Sequence, residues 1–496
     1  MSQAVVSVNA GVLLPILAPA IGAAAVLVVD IVAQRLRRAH YLIALVSLVV
    51  GAVATFSGLG MVAGDVRQTL CLPGGGQCMY AADAVASGLQ LSALLAAGVT
   101  LLLSWPDDKK QSSGNTAVIV SLVLAATAGA TAVAGARDLG SWLVALELAT
   151  LPTVALVALR GARSAISGAI ALLTTALVSF GLLALAAALW FTATGSGFLT
   201  PAAALAVIDD PTRRPILVLA VALVVAGIGF KLSLVPFHAW TPEAYDGAPL
   251  PIAAFLAGVS KIAALAALLI VIRAIAPLGA PALITIAIVA AASMTLGNIM
   301  ALRQDSVVRL LAWSTVAQAG WVVMPLAAVS SAAVFASGAY LLAYVLATLL
   351  AFAVVAALVQ TRGASRAREL SGYHGLVHEH PVLAAALGLA LLSLAGLPPG
   401  VLGLVAKVTA LRPVVASELW LLAVIAAVNA VLGVAVYLRW LRVVMATREA
   451  ETGVAAAVPA PAPSAHPATL VAVGLAAVAL VVTSVNPQLV LGLLGS

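Results

Sequence analysis

The stretch PILVLAVALVVAGIGFKLSLVPFHAWTP, residues 215–242, decides the class of this protein. It runs from Pro215 to Phe230 without a charged residue, then holds Lys231, and later contains two further prolines. A membrane-spanning helix requires roughly 20 apolar residues, so the stretch predicts a spanning helix with one buried charge and a proline interruption.

The composition of the whole chain of 496 residues agrees, since it is 64% hydrophobic and only 8% charged, with a mean hydropathy of +1.18. A soluble protein is about half apolar and about a quarter charged. The composition therefore predicts a polytopic membrane protein and excludes a soluble enzyme, a nucleic-acid-binding protein and a disordered chain.

Apolar runs separated by polar residues predict an all-α polytopic protein with fourteen spanning helices. The runs lie near 9–33, 41–63, 82–104, 115–135, 139–160, 165–194, 215–240, 250–275, 279–302, 306–327, 331–360, 381–411, 416–443 and 467–492. No soluble domain fits between them, so we treat residues 1–496 as a single transmembrane domain.

Basic residues are divided unequally between the two sides of this predicted fold. Fifteen of the 24 fall in loops of one side, six fall in loops of the other side, and three lie within spans. Lys and Arg are concentrated on the cytoplasmic side of membrane proteins, so the count predicts that both termini lie outside a plasma (inner) membrane. The first apolar run has no Lys or Arg before it, unlike a secretory signal peptide, and is predicted to be a retained helix.

The chain has two cysteines, Cys71 and Cys78, which is too few for an iron–sulfur cluster or a cysteine-type zinc site. They flank Leu-Pro-Gly-Gly-Gly-Gln in a loop that is predicted to lie outside. A disulfide and a pair of free thiols are both compatible with this spacing. An outside location favours the disulfide somewhat.

Four ionisable residues fall inside predicted spans: Glu147, Lys231, Lys261 and Lys407. A charge at the centre of a bilayer costs several kcal/mol, so such residues are candidates for function by default. The alternative is that they form structural ion pairs or extend to the membrane surface, and Lys261 is the weakest candidate because it lies close to a loop. Burial favours the neutral amine of a lysine, and a nearby carboxylate favours the ammonium form. Movement of Glu147 towards or away from Lys231 would therefore load or release a proton.

Two of these lysines lie beside helix breakers. Lys231 is followed by Pro236, and Lys407 is preceded by Pro398 and Pro399. Proline in a spanning helix frees main-chain carbonyls, which must find other partners. Broken helices near the middle of the bilayer are typical of transporters.

The order of the spans predicts two inverted repeats. Spans four to eight, residues 115–275, start inside, whereas spans nine to thirteen, residues 279–443, start outside. Inverted five-helix repeats place their broken helices in matching positions, which here are spans seven and twelve. Residues 1–114 would add three N-terminal helices, and residues 467–492 would add a final helix.

Histidines provide two weaker candidates. His238 follows Lys231 by seven residues and could relay protons from the inside surface, although a structural hydrogen bond is an equally good interpretation. His374, His378 and Glu379 lie in an inside loop, where we expect a solvated surface and no metal site.

The motif around Lys231 resembles the seventh-helix signature of the antiporter-like subunits of respiratory complex I. It runs from Phe230 to Pro249, and its Trp-Thr-Pro-Glu-Ala-Tyr-Asp-Gly-Ala-Pro form is similar to that of the subunit N branch. Further stretches resemble other helices of the family over roughly residues 80–445: 146–152, 301–314, and 394–400 followed by Lys407.

The resemblance implies a proton-translocating, non-redox subunit of NADH:quinone oxidoreductase. Glu147 matches the family's fifth-helix glutamate, and Lys231, Lys261 and Lys407 match its seventh-, eighth- and twelfth-helix lysines. No cofactor is expected in this chain, because NADH, FMN, iron–sulfur clusters and quinone belong to partner subunits. The expected neighbours are the antiporter-like subunit M and small subunits such as K and J, within a lipid bilayer and without nucleic acid.

Two alternatives remain, a subunit of an Mrp-type cation/proton antiporter and a structural scaffold with silent lysines. The chain also departs from the family pattern at Gln318, where relatives often have a tenth-helix histidine. Because an amide does not titrate, protons would have to cross that region through water or another side chain.

Overall fold

The structure, a computed structural model, describes residues 7–33, 36–62, 64–73, 77–105, 116–276, 281–328, 330–447 and 464–494. Four of the basic residues that were counted on the inside lie outside these ranges: Arg35, Lys109, Lys110 and Arg448.

The described residues form mostly helices. The first half contains α1 (Ala10–Val32), α2 (Arg37–Leu59), α3 (Ala84–Leu103), α4 (Thr116–Gly135), α5 (Leu139–Leu148), α6 (Leu151–Ala158), α7 (Arg163–Thr194), α8 (Pro201–Leu205), α9 (Arg214–Leu232), α10 (Trp240–Gly247), α11 (Leu250–Ala257) and α12 (Val259–Ile275). The second half contains α13 (Pro281–Leu302), α14 (Val307–Val323), α15 (Ser331–Arg362), α16 (Ala364–Ala367), α17 (Leu376–Glu379), α18 (Pro381–Ala395), α19 (Val401–Ala416), α20 (Trp420–Met445), α21 (Pro467–Val485) and α22 (Gln488–Leu491). Three 3₁₀ turns lie at Met324–Ala328, Leu370–Tyr373 and Gly492–Leu494.

Within the described ranges, thirteen helices, counting α5–α6 and α11–α12 as one each, are long and apolar enough to cross a membrane. The predicted twelfth span instead consists of two shorter helices, α18 and α19. The fold is therefore that of an all-α polytopic protein, and a total of fourteen crossings stays a prediction, as does the pairing of two inverted repeats. The last predicted span, 467–492, extends too far, because α21 ends at Val485 and Pro487 follows it.

Helix interruptions are more numerous than the sequence predicted. The α9–α10 and α18–α19 breaks were expected, and the second begins at Gly396, whose φ of 79° is left-handed and suits glycine. Two further breaks separate α5 from α6 and α11 from α12. In the first, Pro152 of α6 lacks an N–H group and cannot continue the hydrogen bonds of α5. In the second, Gly258 adopts a φ of −106° and a ψ of −86°, outside the helical region.

A short β-hairpin, which the sequence analysis did not predict, occupies the loop between α2 and α3. Strands β1 (Arg67–Cys71) and β2 (Cys78–Ala82) pair antiparallel, and Cys71 lies opposite Cys78. The structure joins these two cysteines in a disulfide.

One carboxylate ties this hairpin region to two distant helices. Asp83 caps the N-terminus of α3, and its Oδ2 lies 2.6 Å from Nη1 of Arg273 and 3.9 Å from Nη2 of Arg137. Burial acts to raise the pKa of Asp83, but the two guanidinium groups and a main-chain hydrogen bond hold that pKa below its usual 3.8. The end of α12 and the start of α5 are thereby fixed to the start of α3.

The core surrounds α12, α14 and α15, which are almost entirely buried by the other helices. Helix α15 packs against α3, α11, α14, α18, α19 and α21. The 3₁₀ turn Gly492–Leu494 contacts both α15 and α3. Leu494 lies against Gly338 of α15, and the carbonyl of Leu493 lies against Gly88 of α3. The long helix α15 therefore lies between the N-terminal helices and the second half of the chain.

Candidate functional site: a buried row of charged and polar side chains

Glu147 and Lys231 form an ion pair at two helix interruptions. The Nζ atom of Lys231 donates to Oε1 of Glu147 at 2.9 Å and to Oγ1 of Thr150 at 2.9 Å. Their side chains are 5% and 13% exposed, respectively. Glu147 lies in the last turn of α5 and Lys231 in the last turn of α9, so both are located where a helix stops. Both are predicted site residues, and the structure brings them together.

Lys261 lies next to this pair and is more buried than its distance from a loop suggested. It is 1% exposed, three residues beyond the Gly258 break. Its Nζ donates to the main-chain oxygen of Lys231 at 2.9 Å and to Oγ of Ser233 at 2.6 Å. It also lies 4.7 Å from the ring centroid of Trp240, where the electron-rich face attracts a cation.

The hydroxyls around Lys261 were not predicted. Ser233 ends α9 with a left-handed φ of 67°, and its Oγ accepts a 2.6 Å hydrogen bond from Thr241 of α10. Ser233 follows Lys231 by two residues and Thr241 directly follows Trp240, and these polar residues in an otherwise apolar segment were the available signal.

Lys407 lies in α19, beside the α18–α19 break, and its hydrogen-bond partner differs from those of the other two lysines. Its Nζ donates to the carbonyl of Ala395 at 2.5 Å and lies 5.6 Å from the ring centroid of Trp321. Ala395 is the last residue of α18, so its carbonyl is one of those freed by the break. Lys407 is 7% exposed and has no carboxylate within ion-pair distance among the described residues.

A cluster of tyrosine hydroxyls and amides lies in the second half of the core, and the sequence analysis missed most of it. Tyr340 donates to Oε1 of Gln318 at 2.5 Å, and Nε2 of Gln318 donates to the Tyr437 hydroxyl at 2.9 Å. Tyr344 donates to Oγ1 of Thr315 at 2.9 Å. The signal was present, because Tyr340 and Tyr344 are four residues apart and therefore share one face of α15. Hydroxyl groups are uncharged, so the pattern of buried charges does not indicate them.

Among the described residues, no side-chain hydrogen bond joins the histidine candidates to the lysines. His238 lies between α9 and α10, half-buried, with its ring centroid 5.2 Å from that of Trp313. Its Nδ1 has no hydrogen-bond partner among the described residues. At the end of α17, Oε2 of Glu379 accepts a 2.6 Å hydrogen bond from Nη2 of Arg362. Within the described ranges, no three His, Cys, Asp or Glu side chains are grouped as metal ligands.

The arrangement is suited to holding and moving protons. Amines, one carboxylate and several hydroxyls are buried at interruptions of α5–α6, α9–α10, α11–α12 and α18–α19. Charged side chains at broken helices are typical of membrane transporters, and the fold and this site define a protein of that class.

Comparison with known proteins specifies the family. The family model described as "NADH:quinone oxidoreductase/Mrp antiporter, TM" matches residues 136–433. The chain belongs to this family of multi-pass membrane proteins, and the predicted resemblance to its subunit N branch is confirmed by the relatives that follow.

One relative is "NADH-quinone oxidoreductase subunit N 2" of Streptomyces griseus, which is 37% identical over 421 residues, 82% of this chain and 76% of the relative. A solved structure, "Respiratory complex I from Thermus thermophilus with bound Aureothin", contains a chain that is 30% identical, with a TM-score of 0.76 over 97% of this chain and 99% of that one. A chain of the Mrp complex from Dietzia sp. has a TM-score of 0.81 over 98% of this chain and 96% of its own length. At 19% identity, the Mrp likeness shows a shared fold only.

Proposed function

We propose that this chain is a proton-translocating, non-redox membrane subunit, of the subunit N type, in an NADH:quinone oxidoreductase. The observation that supports the proposal best is the buried Lys231–Glu147 pair, 2.9 Å long, with Lys261 bound to the main chain of the same lysine. A buried charge is costly to maintain. A change in the distance between Glu147 and Lys231 would therefore control whether Lys231 holds a proton.

Glu147 would respond to a neighbouring subunit. It is partly exposed on α5, close to Val144 and Leu148, which are 69% and 41% exposed. A partner that covers this apolar face would shift the surroundings of Glu147 without contacting Lys231. We infer that a conformational signal enters here and weakens the ion pair.

The remaining residues would carry the proton onwards. Lys231 releases its proton when Glu147 withdraws, and Lys261 passes protons along the middle of the bilayer with Ser233 and Thr241 as hydrogen-bond partners. Lys407 stores a proton and releases it towards the outside. His238 would serve as a relay from the inside surface.

The proposal also covers the setting of the chain. Subunits M, K and J would be its neighbours in a plasma membrane, with both termini of the chain outside. NADH, FMN, iron–sulfur clusters and quinone would be bound by partner subunits.

Co-purification tests this function directly. The tagged chain, solubilised in mild detergent, is expected to retain hydrophilic subunits with NADH:quinone reductase activity. The description of the matching family model also names Mrp antiporters, so a second candidate is an Mrp-type cation/proton antiporter subunit. Recovery of a complex that exchanges Na⁺ for H⁺ and does not oxidise NADH would support that candidate instead.

A scaffold with silent lysines is tested by Lys407→Ala. If the assembled complex oxidises NADH and pumps protons normally with this variant, the proposed role of Lys407 is wrong. Loss of assembly in the Glu147 and Lys407 variants alike would support the scaffold.

A further inference from the structure

A long apolar groove lies between α2, α3, α15 and α21. Its volume is about 490 Å³, and its lining on α3 extends from Ser92 to Leu102. At a rise of 1.5 Å per residue this lining spans about 15 Å, which is half of the roughly 30 Å hydrocarbon core of a bilayer. The groove therefore has the length that one acyl chain of a lipid occupies in one leaflet.

The wall of the groove offers no free polar group to a ligand. Its described lining contains two polar side chains, Ser92 and Thr483. The hydroxyl of Ser92 donates to the carbonyl of Gly88 at 2.8 Å, within α3. That of Thr483 donates to the carbonyl of Ala479 at 2.7 Å, within α21. Apolar cavities of this kind stay dry and take apolar ligands.

The size and the opening of the groove fit a lipid chain and not a protein helix. Val49, Leu95 and Leu475 line the groove and are exposed, so it opens at the lipid-facing surface. An apolar cavity of about 150 Å³ holds one benzene molecule, or about 25 Å³ per carbon atom. At that ratio the groove accommodates about 20 carbon atoms, the size of one long acyl chain. An occupant of this volume and length is only about 6 Å wide, whereas an α-helix is about 10 Å wide.

A second cavity lies nearer the membrane surface, where α3 and α15 begin. It has a volume of about 390 Å³, and its lining includes Val85 of α3 and Phe335 of α15. On each helix the groove begins seven residues further along, at Ser92 and at Leu342, which places it about 10 Å deeper. The 3₁₀ turn Gly492–Leu494 contributes to the lining of both. The second cavity therefore lies above the groove, at the depth of the lipid headgroups.

This surface cavity presents charges of both signs. Arg273 and Asp83 line it as an ion pair, and Arg137 lies 3.9 Å from the same carboxylate. Two guanidinium groups and one carboxylate leave one net positive charge at this wall. Asp65, on another part of the lining, is exposed, and the described residues include no ion-pair partner for it. A ligand with one negative and one positive group would neutralise both places.

We propose that the surface cavity and the groove together bind one phospholipid with an ethanolamine headgroup. Its phosphate lies at Arg273 and at the start of α15, where the first main-chain N–H groups have no partner within the helix. Its ammonium group lies at Asp65, and one acyl chain fills the groove. A headgroup without an amine would leave the carboxylate of Asp65 uncompensated. The proposal concerns lipid binding and goes beyond the proton-translocating function.

Gly98 allows the groove to be filled without disturbing the protein. It lines the groove, and a Cβ atom at this position would meet no atom within 4 Å, so a leucine side chain would enter open space. Gly181→Leu is the matched control. Gly181 lies in α7 with equally open surroundings, and it does not line the groove.

Electron cryo-microscopy of the assembled complex tests the acyl-chain site. The wild type and Gly181→Leu are expected to show elongated lipid density in the groove, and Gly98→Leu is expected to lack it. A wild-type map that resolves other lipids but shows the groove empty, or filled by a partner subunit, overturns the proposal. The wild-type map decides alone if Gly98→Leu does not assemble.

Photoreactive lipids test the headgroup. The complex is reconstituted with phospholipid that carries a diazirine on one acyl chain and either an ethanolamine or a glycerol headgroup, and labelled peptides are identified by mass spectrometry. The ethanolamine lipid should label peptides of α2, α3, α15 and α21 roughly 2- to 5-fold more than the glycerol lipid, as expected for one exposed ion pair. Asp65→Asn should remove this preference. Asp209→Asn should retain it, because Asp209 is also exposed but lines neither cavity.

The two measurements can fail separately. Equal labelling of these peptides by both lipids in the wild type overturns the assignment of the headgroup. Labelling that is as strong in Gly98→Leu as in Gly181→Leu overturns the assignment of the groove to the acyl chain.

Discussion

Replacing Glu147 by glutamine should uncouple proton pumping from NADH oxidation. The substitution keeps the size of the side chain and removes the charge that faces Lys231. At the observed 2.9 Å, two unit charges attract by about 6 kcal/mol at an effective dielectric constant of about 20. Desolvation offsets much of this attraction, and measured losses on removing one partner of a buried pair are about 3–5 kcal/mol.

Such a loss is large on the scale of proton transfer. A change of about 1.4 kcal/mol already alters an equilibrium tenfold, so Glu147→Gln should slow proton translocation at least tenfold. Lys231 would keep Thr150 and the amide oxygen of the new glutamine as hydrogen-bond acceptors, but it would lose the opposite charge. Inverted membrane vesicles supplied with NADH and a pH-sensitive dye report the pumping rate, while NADH oxidation with an uncoupler and the amount of assembled complex are measured separately.

Matched variants separate this effect from general damage. Glu243→Gln makes the same chemical change in an ion pair with Arg309 at 3.2 Å, where the glutamate is 50% exposed. Exposed pairs contribute at most about 1 kcal/mol, so this variant should pump within a few-fold of the wild type. Glu147→Asp retains the charge and should give an intermediate rate. If Glu147→Gln assembles normally and pumps as well as Glu243→Gln, the ion pair has no part in the mechanism.

Other substitutions have equally definite outcomes. Lys407→Ala should leave assembly intact and lower vesicle acidification at least tenfold, because the amine that is proposed to release the proton is lost. Gly129→Ala should destabilise the complex by about 1–3 kcal/mol in thermal unfolding and also reduce pumping, since its Cβ would lie 2.3 Å from the main-chain nitrogen of Ala149 at the α5–α6 break. Gly181→Ala is the control, because its Cβ would meet no atom within 4 Å, and a similar loss there would contradict the steric argument. Replacing Cys71 and Cys78 by serine should cost about 2–3 kcal/mol of stability through the reopened loop, with unchanged pumping; an equal melting temperature in the variant and the wild type would show that the disulfide does not stabilise the fold.

Hydropathy predicted the spans well because each one must fill the same bilayer thickness. The helix break near Lys231 could also be predicted from sequence, because Pro236 lies within a few residues of this buried charge. By contrast, the break at Gly258 depends on one glycine in an apolar segment, and nothing in the local pattern distinguishes it from glycines that continue a helix.

The contacts of the site were less accessible to sequence reasoning. Glu147 and Lys231 are 84 positions apart, and no periodicity relates α5 to α9. Tyr340 and Tyr344 could have been recognised from their shared helix face. Their hydrogen bonds to Gln318 and Thr315 connect different helices, and those contacts exist only in three dimensions.

The main-chain partners of two lysines have a consequence for mutagenesis. Lys261 binds the carbonyl of Lys231, and Lys407 binds the carbonyl of Ala395. No side-chain substitution can delete a carbonyl, so an alanine scan of these helices would leave part of each binding site in place and attribute every effect to side chains. Amide-to-ester replacement at a helix break, which weakens the preceding carbonyl as an acceptor, is the kind of chemistry that would expose the contribution of the backbone.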